Sequence, residues 1–436
     1  MEDVSGDIWD LSRRGLLAGG GVTAFAGLTG LLGAAGTQAQ AARSAGGDAA
    51  LLAEFDAVLR RIQDAATLAF ARSTAQRPVD RAMGLLHIMN NLALGLAFHV
   101  HHNDPQHPEL FRYMGPDRKQ GGDNQSALYL GFAVDAAHTY RLYGNRGSAR
   151  HLSITTVERG PTPWGGGMGA ALFGRDLQSD ADGNFEIVLS AKPHPGNWIK
   201  LSPQDFRITI RQFFADWETE QPMRARVELV GEVPPPPVLT AEKIMTGLRE
   251  TGDWIKNTIR FWQDTMDLFR KTPNRFISWR TLTGDKVNAT PGGDPACCYW
   301  NVPQGQALIL RTRPPKCEYW NIEFNNPWWE TMDYVHRLSG TNMHQAVLED
   351  DGELIAVVAH EDPGVPNWLD TSGFVEGVMG RRWIFAETLP EVELTLVPHD
   401  TLFDRLPAGV KRITAGERQA QIAARRRGIY NRFNWM

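Results

Sequence analysis

Apolar residues recur at helical spacing near the start of the chain, at Leu52, Phe55, Leu59, Ile62 and Phe70, and again after Pro78 at Met83, Leu86, Met89 and Leu92 to about Val100. This pattern predicts two amphipathic helices. From Ser126 it changes to short alternating runs, among them Tyr140-Arg141-Leu142-Tyr143, His151-Leu152-Ser153-Ile154 and Phe185-Glu186-Ile187-Val188-Leu189, separated by glycine-containing turns. These predict a first β module that ends near Val230. The four prolines Pro234 to Pro237 read as a stiff linker. Beyond them Ile244, Leu248, Ile255, Ile259, Trp262, Met266 and Phe269 predict a long helix with Thr240 as its N-cap. A second β module follows, to Val397, and a basic helical tail runs from Gly416 to about Gly428.

The two β modules repeat one another at a period near 169 residues, an internal duplication. Asp182-Gly183, Phe185 to Leu189 and Pro195-Gly196-Asn197-Trp198-Ile199 recur as Asp351-Gly352, Leu354 to Val358, and Pro363-Gly364 with Pro366-Asn367-Trp368-Leu369. Leu152-Ser153-Ile154 matches Trp320-Asn321-Ile322, and Arg211-Gln212-Phe213-Phe214 matches Arg382-Trp383-Ile384-Phe385. The expected fold class is mainly β with helical additions (α+β): two related β-sandwich modules packed about a pseudo-two-fold, with N-terminal helices and a linking helix. The expected segments are 1–41 (signal), 42–122 (helical), 123–232 (first module), 233–280 (linker and long helix), 281–400 (second module) and 401–436 (basic tail). A cleft is expected between the modules.

Near the N-terminus, Ser12-Arg13-Arg14-Gly15-Leu16-Leu17 opens a weakly hydrophobic Gly- and Ala-rich run that ends in Ala39-Gln40-Ala41. This is the pattern of a twin-arginine (Tat) export signal cleaved to leave a mature start near Ala42. A periplasmic or secreted protein is therefore expected, a client of the Tat machinery with no stable membrane insertion after cleavage. No other segment reads as long and apolar enough to span a bilayer.

Composition narrows the partners. The 45 Lys+Arg nearly balance the 50 Asp+Glu, for a net charge of −5, and no basic block is interleaved with aromatics, so nucleic acid is not expected. With 14 Trp, 43 Gly and 26 Pro the chain has the turns of a β protein and wide apolar contact surfaces. Three cysteines, Cys297, Cys298 and Cys317, are too few for a disulfide scaffold; one bridge from Cys317 remains open beside three free thiols.

The chain resembles the bacterial family known as domain of unknown function 1214, often found with its relative 1254. The resemblance rests on Gly121-Gly122-Asp123-Asn124 leading to Tyr129, on Tyr140 to Gly147, on Asn326-Pro327-Trp328-Trp329-Glu330 and on Asn367-Trp368-Leu369-Asp370-Thr371. It implies β-sandwich architecture over residues 80 to 400 and carries no catalytic residue across.

The duplication points to the second module for chemistry. Where the first copy has Ser153, Ile154 and Thr155, the second has Asn321, Ile322 and Glu323, followed by a polar and aromatic stretch to Arg337. Strand alternation puts Asn321, Glu323 and Asn325 on one face. Glu323, Asp333 and His336 are the acid/base candidates. Asn321, Trp328, Trp329, Tyr334, Arg382 and Trp368 are the substrate-binding candidates, with Arg381 and Arg382 suited to a carboxylate or phosphate. The matching Gly- and Pro-rich loop of the first copy, Glu158 to Gly169, which contains Trp164, could act as a lid. His99, His101, His102, Asp104 and His107 lack metal-ligand spacing, and neither a Gly-x-Ser-x-Gly elbow nor a phosphate loop is present, so neither metal nor cofactor is expected. Two functions fit: acid/base processing of a small organic molecule or glycan by a hydrolase or lyase, or non-catalytic capture of a sugar or hydrophobic ligand in an aromatic cleft between the modules.

Overall fold

The computed structural model describes residues 33–70, 77–278, 291–293 and 295–433, with side chains from residue 47 onward. The twin-arginine stretch and most of the expected signal lie outside the described residues, as does the expected start of the second module at residue 281. The chain divides into two compact units, Met1–Ala53 and Glu54–Met436. The first is described as the opening part of helix α1 (Gly33–Phe70). All that follows concerns the second.

The first module contains β1 (Phe111–Met114), β2 (Ala127–Ala133), β3 (Tyr140–Asn145), β4 (His151–Glu158), β5 (Met168–Phe173), β6 (Asn184–Ser190), β7 (Trp198–Lys200), β8 (Asp205–Phe213) and β9 (Arg224–Leu229). The second contains β10 (Ile277–Ser278), β11 (Ala296–Asn301), β12 (Gln306–Thr312), β13 (Tyr319–Asn325), β14 (Gly340–Asn342), β15 (Leu354–Ala359), β16 (Trp368–Asp370), β17 (Glu376–Ile384) and β18 (Glu393–Pro398). The sheets of the first module are ordered β1-β2-β8-β4-β5 and β7-β6-β3-β9; those of the second are β10-β11-β17-β13-β14 and β16-β15-β12-β18. Adding nine to each strand of one module gives the other. Even the parallel pairs β6·β7 and β15·β16 correspond, so the duplication is one of topology and not of motif alone.

Each module buries the inward residues of its own two sheets. Leu128, Leu142, Ile154, Ile187 and Ile210 fill the first, and Trp300, Leu310, Ile322, Phe324, Val358 and Met379 the second. The repeated Asn-Trp pair explains part of the recurrence. Asn197 donates to the carbonyls of Gln178 and Glu186, and Asn367 to those of Val347 and Ile355, while the indoles of Trp198 and Trp368 donate to Ser190 and Ala359 carbonyls. Trp368 is therefore a sandwich fastener present in both copies, not the ligand platform expected for it. Asn367→Ala removes three bonds at one buried point and is expected to cost about 2 kcal/mol, measurable by denaturant unfolding.

Helices α2 (Pro78–Leu96) and α3 (Ala241–Phe269) pack against each other. Thr240 caps α3, its hydroxyl accepting from the Lys243 amide. Trp254, Ile255, Ile259, Trp262, Met266 and Phe269 are buried along it, each contributing roughly 1.5–3 kcal/mol of apolar burial. The face of α2 differs from expectation. Leu85, Leu86 and Met89 are exposed, whereas His87, Asn90 and Asn91 are buried, because this helix turns toward a polar seam built on Glu330. In α1, Phe55 and Leu59 are likewise exposed, and Val58, Ala65 and Ala69 form the inward face. By length and composition Pro78–His101 could cross a membrane, contrary to expectation, and half of it is buried in the protein. The basic tail is the helix Ala415–Phe433, and it is not merely solvated: Arg425 and Arg432 are buried and donate to Gln125, Gly340 and Tyr334.

Two strands escape the sequence pattern. β1 and β10 lie in the stretches read as helical or linker, and they are equivalent edge strands of four and two residues.

Candidate functional site

Strands β4 and β8 of the first module and β13 and β17 of the second carry the residues that meet between the modules. Their registers make the copies comparable: Ser153 faces Arg211 and Thr155 faces Thr209, as Asn321 faces Arg382 and Glu323 faces Gly380. Arg211 and Arg382 thus hold one position in both copies, and Glu323 stands where the first copy has Thr155. By strand alternation Arg207, Thr209 and Arg211 share a face of β8, and Gly380 and Arg382 share a face of β17.

These faces border a cavity of about 110 Å³. Tyr113 and Tyr129 from the first sheet, Phe261 and Trp262 from α3, and Trp329 from the second module close it, and Thr162 and Trp164 come from the loop before β5. The glycine-rich loop expected as a lid therefore does reach the cavity wall. Gly121 and Gly122, with φ of +51° and +73°, lie in the left-handed region; a Cβ at Gly121 would stand 2.2 Å from the Trp262 ring and one at Gly122 2.9 Å from that of Trp329. Only glycine lets both indoles approach. A Cβ at Gly380 would likewise come within 2.4 Å of the Glu323 carboxylate.

Glu323, 1% exposed, forms an ion pair with Arg382, whose other nitrogen donates to the Gly122 carbonyl at 3.0 Å. Arg211 donates to the Thr155 hydroxyl at 3.3 Å. Arg207 is different. It is 6% exposed, its Nε is buried without an acceptor, and among the described residues it makes neither an ion pair nor a hydrogen bond. It packs instead against the rings of Phe98, Phe206 and Trp164, at 4.4, 5.2 and 5.6 Å. Desolvated cation–π contacts are worth about 2 kcal/mol, whereas burying an ion costs several kcal/mol. The rings alone do not offset the burial. That burial also draws the pKa of Arg207 down to about 10. The indole Nε1 atoms of Trp164 and Trp262 are buried and lack acceptors as well.

Three other titratable groups on or beside the wall, Cys297, Tyr129 and His99, are shifted by burial. Burial pushes the Cys297 thiol up to about 12 and raises the Tyr129 hydroxyl above its ordinary range. Burial, assisted by Arg207, draws His99 down to about 4. Among the described residues the wall thus presents donors, aromatic rings and one carboxylate, Glu323, paired with Arg382.

Of the residues expected from sequence, the cavity brings together Glu323, Trp329 and Arg382. Arg381 also borders it, though its guanidinium reaches the Pro390 carbonyl. The others lie elsewhere. Asp333 and His336, 47% and 55% exposed, pair with each other at 3.0 Å as i,i+3 neighbours on the surface. Trp328 is core, stacked on His87 at 5.1 Å and packed on Gly84. Tyr334 is buried in the first module's core with Lys119 over its ring. Asn321 exchanges amide contacts of 3.2 and 3.4 Å with Asn124 and so joins the modules.

Sequence reasoning missed Arg207, Trp164 and Trp262 as wall residues. The spacing Arg207-x-Thr209-x-Arg211 on a strand was the available signal. It also missed a buried seam in which His87 bonds Glu330 at 2.8 Å, the Thr331 amide donates to Asp123 at 2.9 Å, and Lys119 donates to the Thr331 and Met332 carbonyls. The histidines after α2 disperse: His102 pairs with Glu109, and His107 with Asp104. Among the described residues no three His, Cys, Asp or Glu side chains could hold a metal, and the three cysteines are free.

Residues 130–216, within the first β module, match the family model described as "Protein of unknown function (DUF1214)". This bears out the resemblance read from the Tyr140 to Gly147 stretch. The fold is similar to the crystal structure of an uncharacterized protein from Burkholderia cenocepacia, with 27% identity, a TM-score of 0.77, and coverage of 80% of this chain and 99% of that one. A crystal structure from Vibrio parahaemolyticus is more distant, at 12% identity and a TM-score of 0.41 over 71% of this chain and 98% of that one. No curated protein matches.

Proposed function

We propose that this chain, whose residues 130–216 match the DUF1214 model and whose second module repeats the topology of the first, is an exported binding protein that holds a small organic molecule between its modules. The observation that carries this reading is a cavity bordered by buried donors without acceptors, the Trp164 and Trp262 indoles and the Arg207 Nε. Unsatisfied buried donors are costly, and a ligand that accepts from them recovers that cost. The twin-arginine motif supports export, since that route carries proteins already folded.

Acid/base processing is the less favoured alternative. Of its three candidate groups only Glu323 lines the cavity, and Arg382 neutralises it.

The test is a thermal-shift and tryptophan-emission screen against sugars, aromatic and aliphatic acids, and sterols, with hits followed by mass spectrometry. A ligand at a hundred times its Kd is expected to add about 2.7 kcal/mol to the unfolding free energy and to be recovered unaltered. Trp164→Ala and Trp262→Ala should weaken that gain. A ligand that is consumed would restore the enzymatic reading, and a panel without any stabilising member would contradict capture.

A further inference from the structure

We infer that the ligand of this cavity is a flat organic carboxylate whose carboxylate is gripped by Arg207. The inference rests on the capture reading and names its chemistry. The cavity's charges are the starting point. Among the described residues Glu323 is the one carboxylate on the wall, and it is engaged by Arg382. Arg211 donates to the Thr155 hydroxyl, and Thr155 stands where the second copy carries Glu323. Among the described residues Arg207 is left with a buried guanidinium and no acid to meet it.

Folding does not require an arginine there. Arg207 faces Val157 as Val378 faces Asn325, so the equivalent position of the second module is filled by a fully buried valine. A charge set into one copy of a scaffold that works with valine in the other is suited to a ligand. The guanidinium fork matches a carboxylate with two parallel hydrogen bonds. Trp164, Trp262 and Trp329 offer apolar rings for the remainder of the molecule. A cavity of about 110 Å³ is somewhat smaller than the ~150 Å³ that accommodates benzene, so the body is of the order of a single ring. Phosphate fits less well, since Arg211 and Arg382 are already engaged and six aromatic side chains border the space.

Isothermal titration of the whole protein with benzoate, benzamide and inorganic phosphate separates these chemistries. Benzoate is expected to bind, with benzamide and phosphate at least tenfold weaker. Arg207→Gln should weaken benzoate at least tenfold and leave benzamide unchanged, and Arg207→Lys should fall between. The wild-type comparison needs no variant, which keeps the test decisive if Arg207→Gln folds poorly. Equal binding of benzoate and benzamide, or indifference to Arg207→Gln in a folded variant, would overturn the carboxylate while leaving capture intact. Preference for phosphate would overturn it too, and so would failure of all three probes; capture itself then stands or falls with the neutral compounds of the wider screen.

Discussion

Glu323→Ala is expected to lower the unfolding free energy by about 3–5 kcal/mol, the usual cost of stranding one partner of a buried ion pair. Glu323 and Arg382 are both buried at the junction of β13 and β17 and pair with each other there. Denaturant unfolding of the variant measures the loss directly. The same residue divides the two functional readings by sign. If Glu323 served as an acid or base, Glu323→Gln would abolish turnover and spare affinity. In a site that captures an anion, the substitution removes a negative charge from the wall, and benzoate should bind more tightly although the unliganded protein is less stable.

The second large effect is a pH dependence seated at Asp123. Burial pushes this carboxyl from 3.8 up to about 6, against the opposing pull of Lys119. A pKa raised by folding means that the folded protein holds the proton more tightly than the unfolded chain. The associated stability is fully present below about pH 4 and is lost as pH rises through about 6. A rise from 3.8 to about 6 corresponds to about 3 kcal/mol at ~1.36 kcal/mol per pH unit. Asp123→Asn keeps the acceptor for the Thr331 amide and removes the titration. Subtracting its unfolding free energies from those of the wild type between pH 4 and 8 should leave a slope of that size and sign. A flat difference would place the ionised carboxylate comfortably in the seam.

Asp123 also shows why the family-like motifs were legible as a pattern before their purpose was. Gly121 and Gly122 admit two indoles, Asp123 holds Thr331, and Asn124 meets Asn321. Gly121 acts against α3 and the other three act between the modules, at contacts more than a hundred positions apart that no local spacing encodes. What repeats within the chain was readable: the strand order, the Asn-Trp fasteners, and Arg211 matched by Arg382. What depends on which face a helix presents was not. The exposed Leu86 and Met89 counted as core by periodicity, because α2 turns His87, Asn90 and Asn91 inward to Glu330. Asp333 and His336 were credible as chemistry by residue type, yet their three-residue spacing closes a surface turn. The edge strands β1 and β10 were too short to alternate. Arg207 was readable in principle, since the register that pairs the copies sets it against Val378.

The central claim, that the space between the modules is a ligand site, is tested most directly by a crystal structure grown with the compound that stabilises the protein most. The expected result is that compound in the cavity, bounded by Trp164 and Trp262, with an acceptor on the Arg207 guanidinium. A cavity holding only ordered water, with the compound bound elsewhere on the protein, would contradict it.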